Sequence, residues 1–126
     1  MKKIFVDTNI LIDFSKGYKT ILNTLFASSH QDQELYINPV VLAEYFSDKN
    51  FRSPKLLAEG KEFIKFFENL DVTRDVGVLA GDFISKGYAS FLGDALIAAT
   101  CVLNNCLLCT RNRKDFSKIP QLQLYD

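Results

Sequence analysis

The sequence has no tryptophan and a single histidine, His30, among its 126 residues. One imidazole cannot build an H-x-x-H zinc motif, and no Ser-His-Asp arrangement forms around it. Cysteine is sparse and odd in number: Cys101, Cys106 and Cys109. An odd count with no secretion signal favours reduced thiols over a disulfide framework. Cys106 and Cys109 form a C-x-x-C, but Leu107 and Leu108 lie between them in a strand-like run. Positions three apart on a strand point to opposite faces, so the sulfurs diverge and read as small buried hydrophobes.

An excess of charge of either sign is missing as well. Lys plus Arg and Asp plus Glu number 15 each, and the pI is about 6.6. That excludes the whole-molecule basic field of many nucleic-acid binders. It leaves room for an enzyme that grips phosphate through metal ions and a few local cations. No apolar run approaches the roughly 20 residues of a membrane-spanning helix, so no membrane association is expected. The apolar run Ile4-Phe5-Val6 is ended by Asp7, too early for a signal peptide, and a soluble cytoplasmic protein is expected. What is present is core material, with hydrophobic residues at 48% and 11 Phe. The length suits one domain over residues 1–126.

The order of patterns is informative. Lys2 to Val6 reads as a buried strand. Thr8 to Phe14 reads as a helix that Gly17 interrupts, with helical spacing resuming at Ile21, Leu22, Leu25 and Phe26. Residues 28–33 read as a polar loop and Glu34 to Ile37 as a second strand. Asn38-Pro39 supplies a helix N-cap and a first-turn proline for Val40 to Phe46. Phe51 to Pro54 reads as a connection. Lys55 to Asn69 reads as one amphipathic helix with Leu56, Phe63, Ile64, Phe66, Phe67 and Leu70 on its apolar side. Leu70 to Thr73 is a candidate third strand. Asp75 to Lys86 is helical with Gly87 as its stop. Gly93-Asp94 opens a buried helix through Leu103, and Asn104-Asn105 makes a turn. Cys106 to Cys109 and Leu122 to Tyr125 close the chain as short strands. Strands alternating with helices imply an α/β fold with a parallel sheet covered on both faces.

In such sheets ligands bind beyond the carboxyl ends of the strands. Asp7 directly follows the first strand and reads either as a helix cap or as a site carboxylate. Glu44 stands on a helix with little polar face, so it is expected to be either half-buried and paired or part of a site, with a partner or a cation. Asp94 opens a helix with almost no polar surface. Asn112 and Asp115 follow the fourth strand. Clustered carboxylates raise one another's pKa, and a hard divalent cation relieves that cost. Such an ion also activates water and offsets charge during phosphodiester hydrolysis.

Four blocks in order resemble the PIN-domain ribonucleases, most closely the VapC-type toxins. They are Val6-Asp7-Thr8-Asn9-Ile10-Leu11-Ile12, Asn38-Pro39-Val40-Val41-Leu42-Ala43-Glu44, Gly93-Asp94-Ala95-Leu96-Ile97-Ala98-Ala99 and Thr110-Arg111-Asn112-Arg113-Lys114-Asp115-Phe116. The resemblance implies a three-layer α/β/α fold with a central, mainly parallel sheet. It implies a hydrolase that cleaves RNA with Mg²⁺ or Mn²⁺. It places Asp7, Glu44 and Asp94 on the family's metal-site acids. In the last block many members carry an acid where this chain has Asn112, while VapC-like members often have Asn there and an acid three residues on, here Asp115. The fourth site residue is therefore Asn112 or Asp115. Thr8 and Asn9 are expected to orient or cap beside Asp7. Arg111, Arg113 and Lys114 are candidates for phosphate contact. The resemblance further implies a homodimer and an antitoxin partner, with Phe51, Phe63, Phe66 and Phe67 available to partner surfaces.

Two rivals differ in chemistry. A haloacid-dehalogenase-type phosphatase needs a second Asp where Asn9 stands and a following Gly-Thr; both are absent. A PIN-like binding module with a degenerate site is favoured only by Asn112.

Overall fold

The computed structural model describes residues 1–28 and 32–126, so His30 and the centre of the expected polar loop lie outside the described residues. Among the described residues the strands are β1 (Lys2–Val6), β2 (Gln33–Ile37), β3 (Glu68–Asn69), β4 (Leu107–Cys109) and β5 (Gln123–Leu124). The helices are α1 (Thr8–Ser15), α2 (Thr20–Ser28), α3 (Pro39–Phe46), α4 (Pro54–Phe63), α5 (Arg74–Ser85), α6 (Leu92–Asn104) and α7 (Arg113–Phe116). The strands form one all-parallel sheet in the order β3-β2-β1-β4-β5, the centre of a three-layer α/β/α fold.

Burial explains the layers. Ile4, Phe5 and Val6 are adjacent on β1, point alternately to the two faces, and are all fully buried. A strand buried on both faces needs helices on both. The chain lays down β1, β2 and β3 toward one edge, then returns to the other side of β1 for β4 and β5. Strand order therefore reverses between β1 and β4, where the carboxyl ends leave a crevice. The register sets Val6 beside Cys109, so the residues that follow them, Asp7 and Thr110, emerge side by side.

Local chemistry starts most helices. Asp7, Asn38, Ser53 and Thr73 each accept a backbone N–H at the start of α1, α3, α4 and α5. Gly17 closes α1 with φ of +101°, and Asn105 ends α6 with φ of +57°, backbone settings that suit Gly and Asn.

The expected helix over 55–69 is not continuous. It ends at Phe63, a 3₁₀ turn covers Ile64–Phe66, and the backbone then extends as β3. Two gains outweigh helix propensity there. Phe67 goes into the core, and Glu68 and Asn69 pair with Tyr36 and Ile37 at the sheet edge. The third strand thus precedes the expected Leu70–Thr73; of that run, Leu70 still donates its N–H to the Ile37 carbonyl at 2.8 Å, and Thr73 caps α5. Phe66 is 70% exposed rather than on a packed face. The expected connection at 51–54 is partly helical, a 3₁₀ turn over Lys49–Arg52 followed by the start of α4. The three thiols are buried and unbridged, and burial pushes each pKa up.

Rings knit α1, α3 and α4 together. Phe14 stacks on Phe63 at 5.0 Å, and Tyr45 meets Phe46, Phe51 and Phe63. Phe51 and Phe63, expected at partner surfaces, line a groove of about 350 Å³ with Phe14 and Tyr45. Phe67, expected there too, is instead a core residue. Among the described residues no helix is long and apolar enough to cross a membrane.

Candidate active site at the strand-order reversal

Asp7 sits at the reversal point, 5% exposed, at the end of β1 and the start of α1. Its backbone N–H donates to the Cys109 carbonyl at 3.0 Å, which fastens this corner to β4. Its Oδ1 accepts the Thr8 N–H at 2.7 Å. Its Oδ2 accepts the Thr110 hydroxyl at 2.7 Å and the Asn9 amide at 3.2 Å. The cap reading and the site reading are therefore compatible: one oxygen caps α1 and the other faces a polar network.

Thr110 is the hub of that network, and sequence reasoning gave it no role. Its Oγ also accepts from the Asn9 amide at 3.3 Å and from the Asn112 N–H at 2.9 Å. Asn9 in turn accepts the Arg111 N–H at 3.3 Å. The available signal was positional, because residues that follow adjacent parallel strand ends become neighbours.

Glu44 reaches the same place from α3. Of the two expectations for it the half-buried one fails: it is exposed, because its carboxylate leans over the start of α1 rather than into the core. One oxygen accepts the Thr8 hydroxyl at 2.6 Å. The other lies where a Cβ on Gly93 would come within 2.7 Å, so glycine leaves room for the carboxylate against α6. Asp94 follows in the first turn of α6, half-buried. It shares a small cleft with Asp115 in α7.

Asp94 feels the other three acids. Burial, then the charges of Asp7, Glu44 and Asp115, push the Asp94 carboxyl up to about 6. Burial also pushes Asp7 up; hydrogen bonds from Thr110 and the Thr8 N–H pull it down, Glu44 pushes it up, and Arg111 pulls it down. The donor set is all carboxylate oxygen, the chemistry a hard divalent cation prefers. As the side chains stand, no three Asp, Glu, His or Cys among the described residues are grouped closely enough to hold an ion.

The expected phosphate-contacting cations are not alike. Arg111 pairs with Asp13 of α1. Arg113 donates to the Tyr125 carbonyl at 2.9 Å and lies 3.6 Å from Asp126, which ties it to the chain end. Lys114 makes no ion pair among the described residues and is exposed. Asn112 precedes α7 half-buried, and its side chain makes no capping bond.

With this geometry in hand, comparison with known proteins is decisive on one point. Residues 4–122 match the PIN domain. This chain belongs to the PIN-domain family. It is 30% identical to the ribonuclease VapC of Rickettsia bellii (strain RML369-C), over 96% of this chain and 93% of that protein. It also resembles solved structures. With VapBC2 from Rickettsia felis, bound to a DNA fragment from its promoter, the TM-score is 0.82 at 25% identity, covering 98% of this chain and 97% of that one. With a toxin–antitoxin complex from Klebsiella pneumoniae the TM-score is 0.77 at 25% identity, covering 94% of each chain. The three-layer fold is thus that of the PIN domain.

Proposed function

We propose that this PIN domain is a divalent-metal-dependent ribonuclease, the toxin of a type II toxin–antitoxin module. The observation that carries the reading is the placing of four acids from separate elements around one end of the sheet: Glu44 bonds to Thr8 beside Asp7 and crowds Gly93 beside Asp94, and Asp94 shares a cleft with Asp115. Asp94 feels the charge of the other three. Membership of the PIN family and the likeness to a VapC ribonuclease support it.

In this reading Asp7, Glu44 and Asp94 would hold Mg²⁺ or Mn²⁺. The ion, when bound, supplies a water of lowered pKa and offsets charge on the phosphate. The chain's own part is placement. Thr110, Asn9 and the Thr8 N–H fix both oxygens of Asp7. Thr8 fixes one oxygen of Glu44 and Gly93 makes space for the other. Asp115 adds negative charge beside Asp94 and completes the acidic face. Asn112, its backbone N–H held by the Thr110 hydroxyl, is the candidate amide for phosphate contact.

The test is cleavage of a labelled single-stranded RNA in Mg²⁺ and in chelator. Wild type is expected to cut only with the ion. Asp7→Asn and Asp94→Asn are each expected to lose at least about a thousandfold while keeping a cooperative melt, because each removes a carboxylate that would hold the cation on which the chemistry depends. Full activity of either purified variant sinks the proposal. Asn112 favours a second reading, a binding module without catalysis, which predicts retained RNA with no cleavage in either condition. A homodimer and an antitoxin partner belong to the main reading. Sizing the chain alone and co-expressed with the adjoining reading frame tests both.

A further inference from the structure

The cleft on the Asp94 and Asp115 side has features that metal binding does not use. It is lined by Tyr88, Ser90, Phe91, Asp94, Asp115 and Lys118, among others, and encloses about 70 Å³. That is room for roughly two waters, or one phosphate-sized group, and far below the several hundred Å³ of a site that swallows a whole ligand. Phe91 is 65% exposed at its mouth. Both walls are fixed. The Tyr88 and Ala89 N–H groups donate to the Phe83 carbonyl at 2.8 and 3.3 Å, which pins the loop that carries Phe91. Lys118 stands between the buried Phe116 and Ile119, themselves joined by a 3.1 Å backbone bond. Lys118 makes no ion pair among the described residues, whereas Arg111 and Arg113 are committed to Asp13 and to the chain end.

We propose that this cleft is a nucleotide subsite next to the acidic corner, with Lys118 contacting an RNA phosphate and Phe91 stacking on the neighbouring base. The inference rests on the nuclease reading and adds to it where the substrate lies. A polyanion approaching four carboxylates needs a cation on its path, and Lys118 offers an unpaired one at the cleft rim. Single-stranded RNA is typically held by such a charge together with an aromatic face, because every base has a surface to stack. The enclosed volume admits the phosphate and leaves the base outside, against Phe91.

The test is fluorescence anisotropy of a labelled single-stranded RNA in chelator, where no cleavage is expected, at several salt concentrations. Wild type is compared with Lys118→Ala, Lys118→Arg, Phe91→Ala, Phe91→Tyr and Lys65→Ala. Lys118→Ala is expected to weaken binding and to lower the log–log salt slope by about 0.7, the loss of one phosphate contact. Lys118→Arg is expected to retain the slope. Phe91→Ala is expected to cost about tenfold in affinity at unchanged slope, and Phe91→Tyr to restore it. Lys65→Ala, which removes an exposed cation paired with Glu62, is expected to match wild type. Wild-type behaviour of both alanine variants at Lys118 and Phe91, in a protein that binds and cuts RNA, overturns the subsite alone. No RNA binding by wild type in chelator, in a protein that cuts RNA with Mg²⁺, overturns the subsite alone; no binding in chelator and no cleavage with Mg²⁺ overturns the subsite and the nuclease reading together. A loss in Phe91→Ala that appears only with a change in oligomeric mass assigns Phe91 to a protein contact and overturns the stacking.

Discussion

The two ends of α1 lie in opposite kinds of surroundings. Its start, Asp7 to Asn9, is woven into hydrogen bonds with Glu44 and Thr110. Its far end packs rings: Phe14 stacks on Phe63, and Ser15 shares a 2.6 Å hydrogen bond with Tyr45. At the start, burial is spent against stability, since it forces acids together and raises their pKa values. At the far end burial stabilises, on the order of 2–3 kcal/mol for each ring fully removed from water. The contrast teaches that one short helix joins a polar corner holding a buried carboxylate to an apolar clamp that holds it in place. Substitutions at the first end are expected to change activity more than stability, and at the second the reverse.

The largest separation of the two is expected from Thr110→Val. It removes the hydroxyl that donates to Asp7 and accepts from Asn9 and Asn112. RNA cleavage is expected to fall about 10- to 100-fold, consistent with loss of an orienting contact beside a reacting group. Losing that donor also raises the Asp7 pKa, so the acid limb of the pH–rate profile moves to higher pH. Thr110→Ser is expected to restore both. An unchanged profile in the valine variant removes Thr110 from the site.

Gly93→Ala is the next sharpest. The new Cβ would fall 2.7 Å from a Glu44 oxygen, the mobile end of an exposed side chain. The carboxylate should swing away at little cost in stability, while alanine favours α6. Cleavage is expected to drop about tenfold with the melting temperature equal to or above wild type, read from paired activity and thermal scans. A large loss of stability with normal activity per folded molecule reverses the assignment.

Asp94→Asn breaks the comparison by pH. The folded pKa of about 6 lies above the ordinary carboxylate value. Asp94 therefore destabilises the fold only once it ionises: its contribution is intact below about pH 4 and is lost as pH rises through 6. In chelator the variant is expected to match wild type near pH 4 and to exceed it by about 1–2 kcal/mol above pH 7, a figure reduced for partial solvent screening. Denaturant melts across that range check it, and a difference that ignores pH contradicts the coupling.

Gly60→Ala probes the apolar clamp. Its Cβ would meet Phe51 at 2.7 Å and Phe46 at 2.9 Å, ring atoms held by other rings. Overpacking costs about 1–3 kcal/mol against a helix-propensity gain of about 1. A fall in melting temperature of about 4 °C is expected, with cleavage per folded molecule unchanged.

The same contrast marks what was legible in the sequence. The polar corner is written in short motifs at strand ends, where capping rules and carboxylate chemistry apply to each residue alone. Asp7, Asn38 and Asp94 could be placed that way, as could the parallel sheet. Glu44 was found, but its exposure was not, because that depends on how α3 leans over α1. Thr110 was passed over because its importance comes from register with β1, which no local window contains. The apolar clamp was less readable. A helical pattern runs on past Phe63, yet burial of Phe67 and pairing of Glu68 and Asn69 with β2 stop the helix. Both are long-range gains that periodicity cannot weigh. Lys118 and Phe91 were overlooked because they stand far apart in sequence and meet only across a cleft.

Thermal stability with and without added Mg²⁺ at pH 8, run in parallel on wild type and Asp94→Asn, tests most directly whether these acids share a cation. The expected result is a rise for wild type that grows with ion concentration, as a ligand binding only the folded state requires, and little or none for the variant. Equal rises in the two proteins, or none in either, would contradict the account.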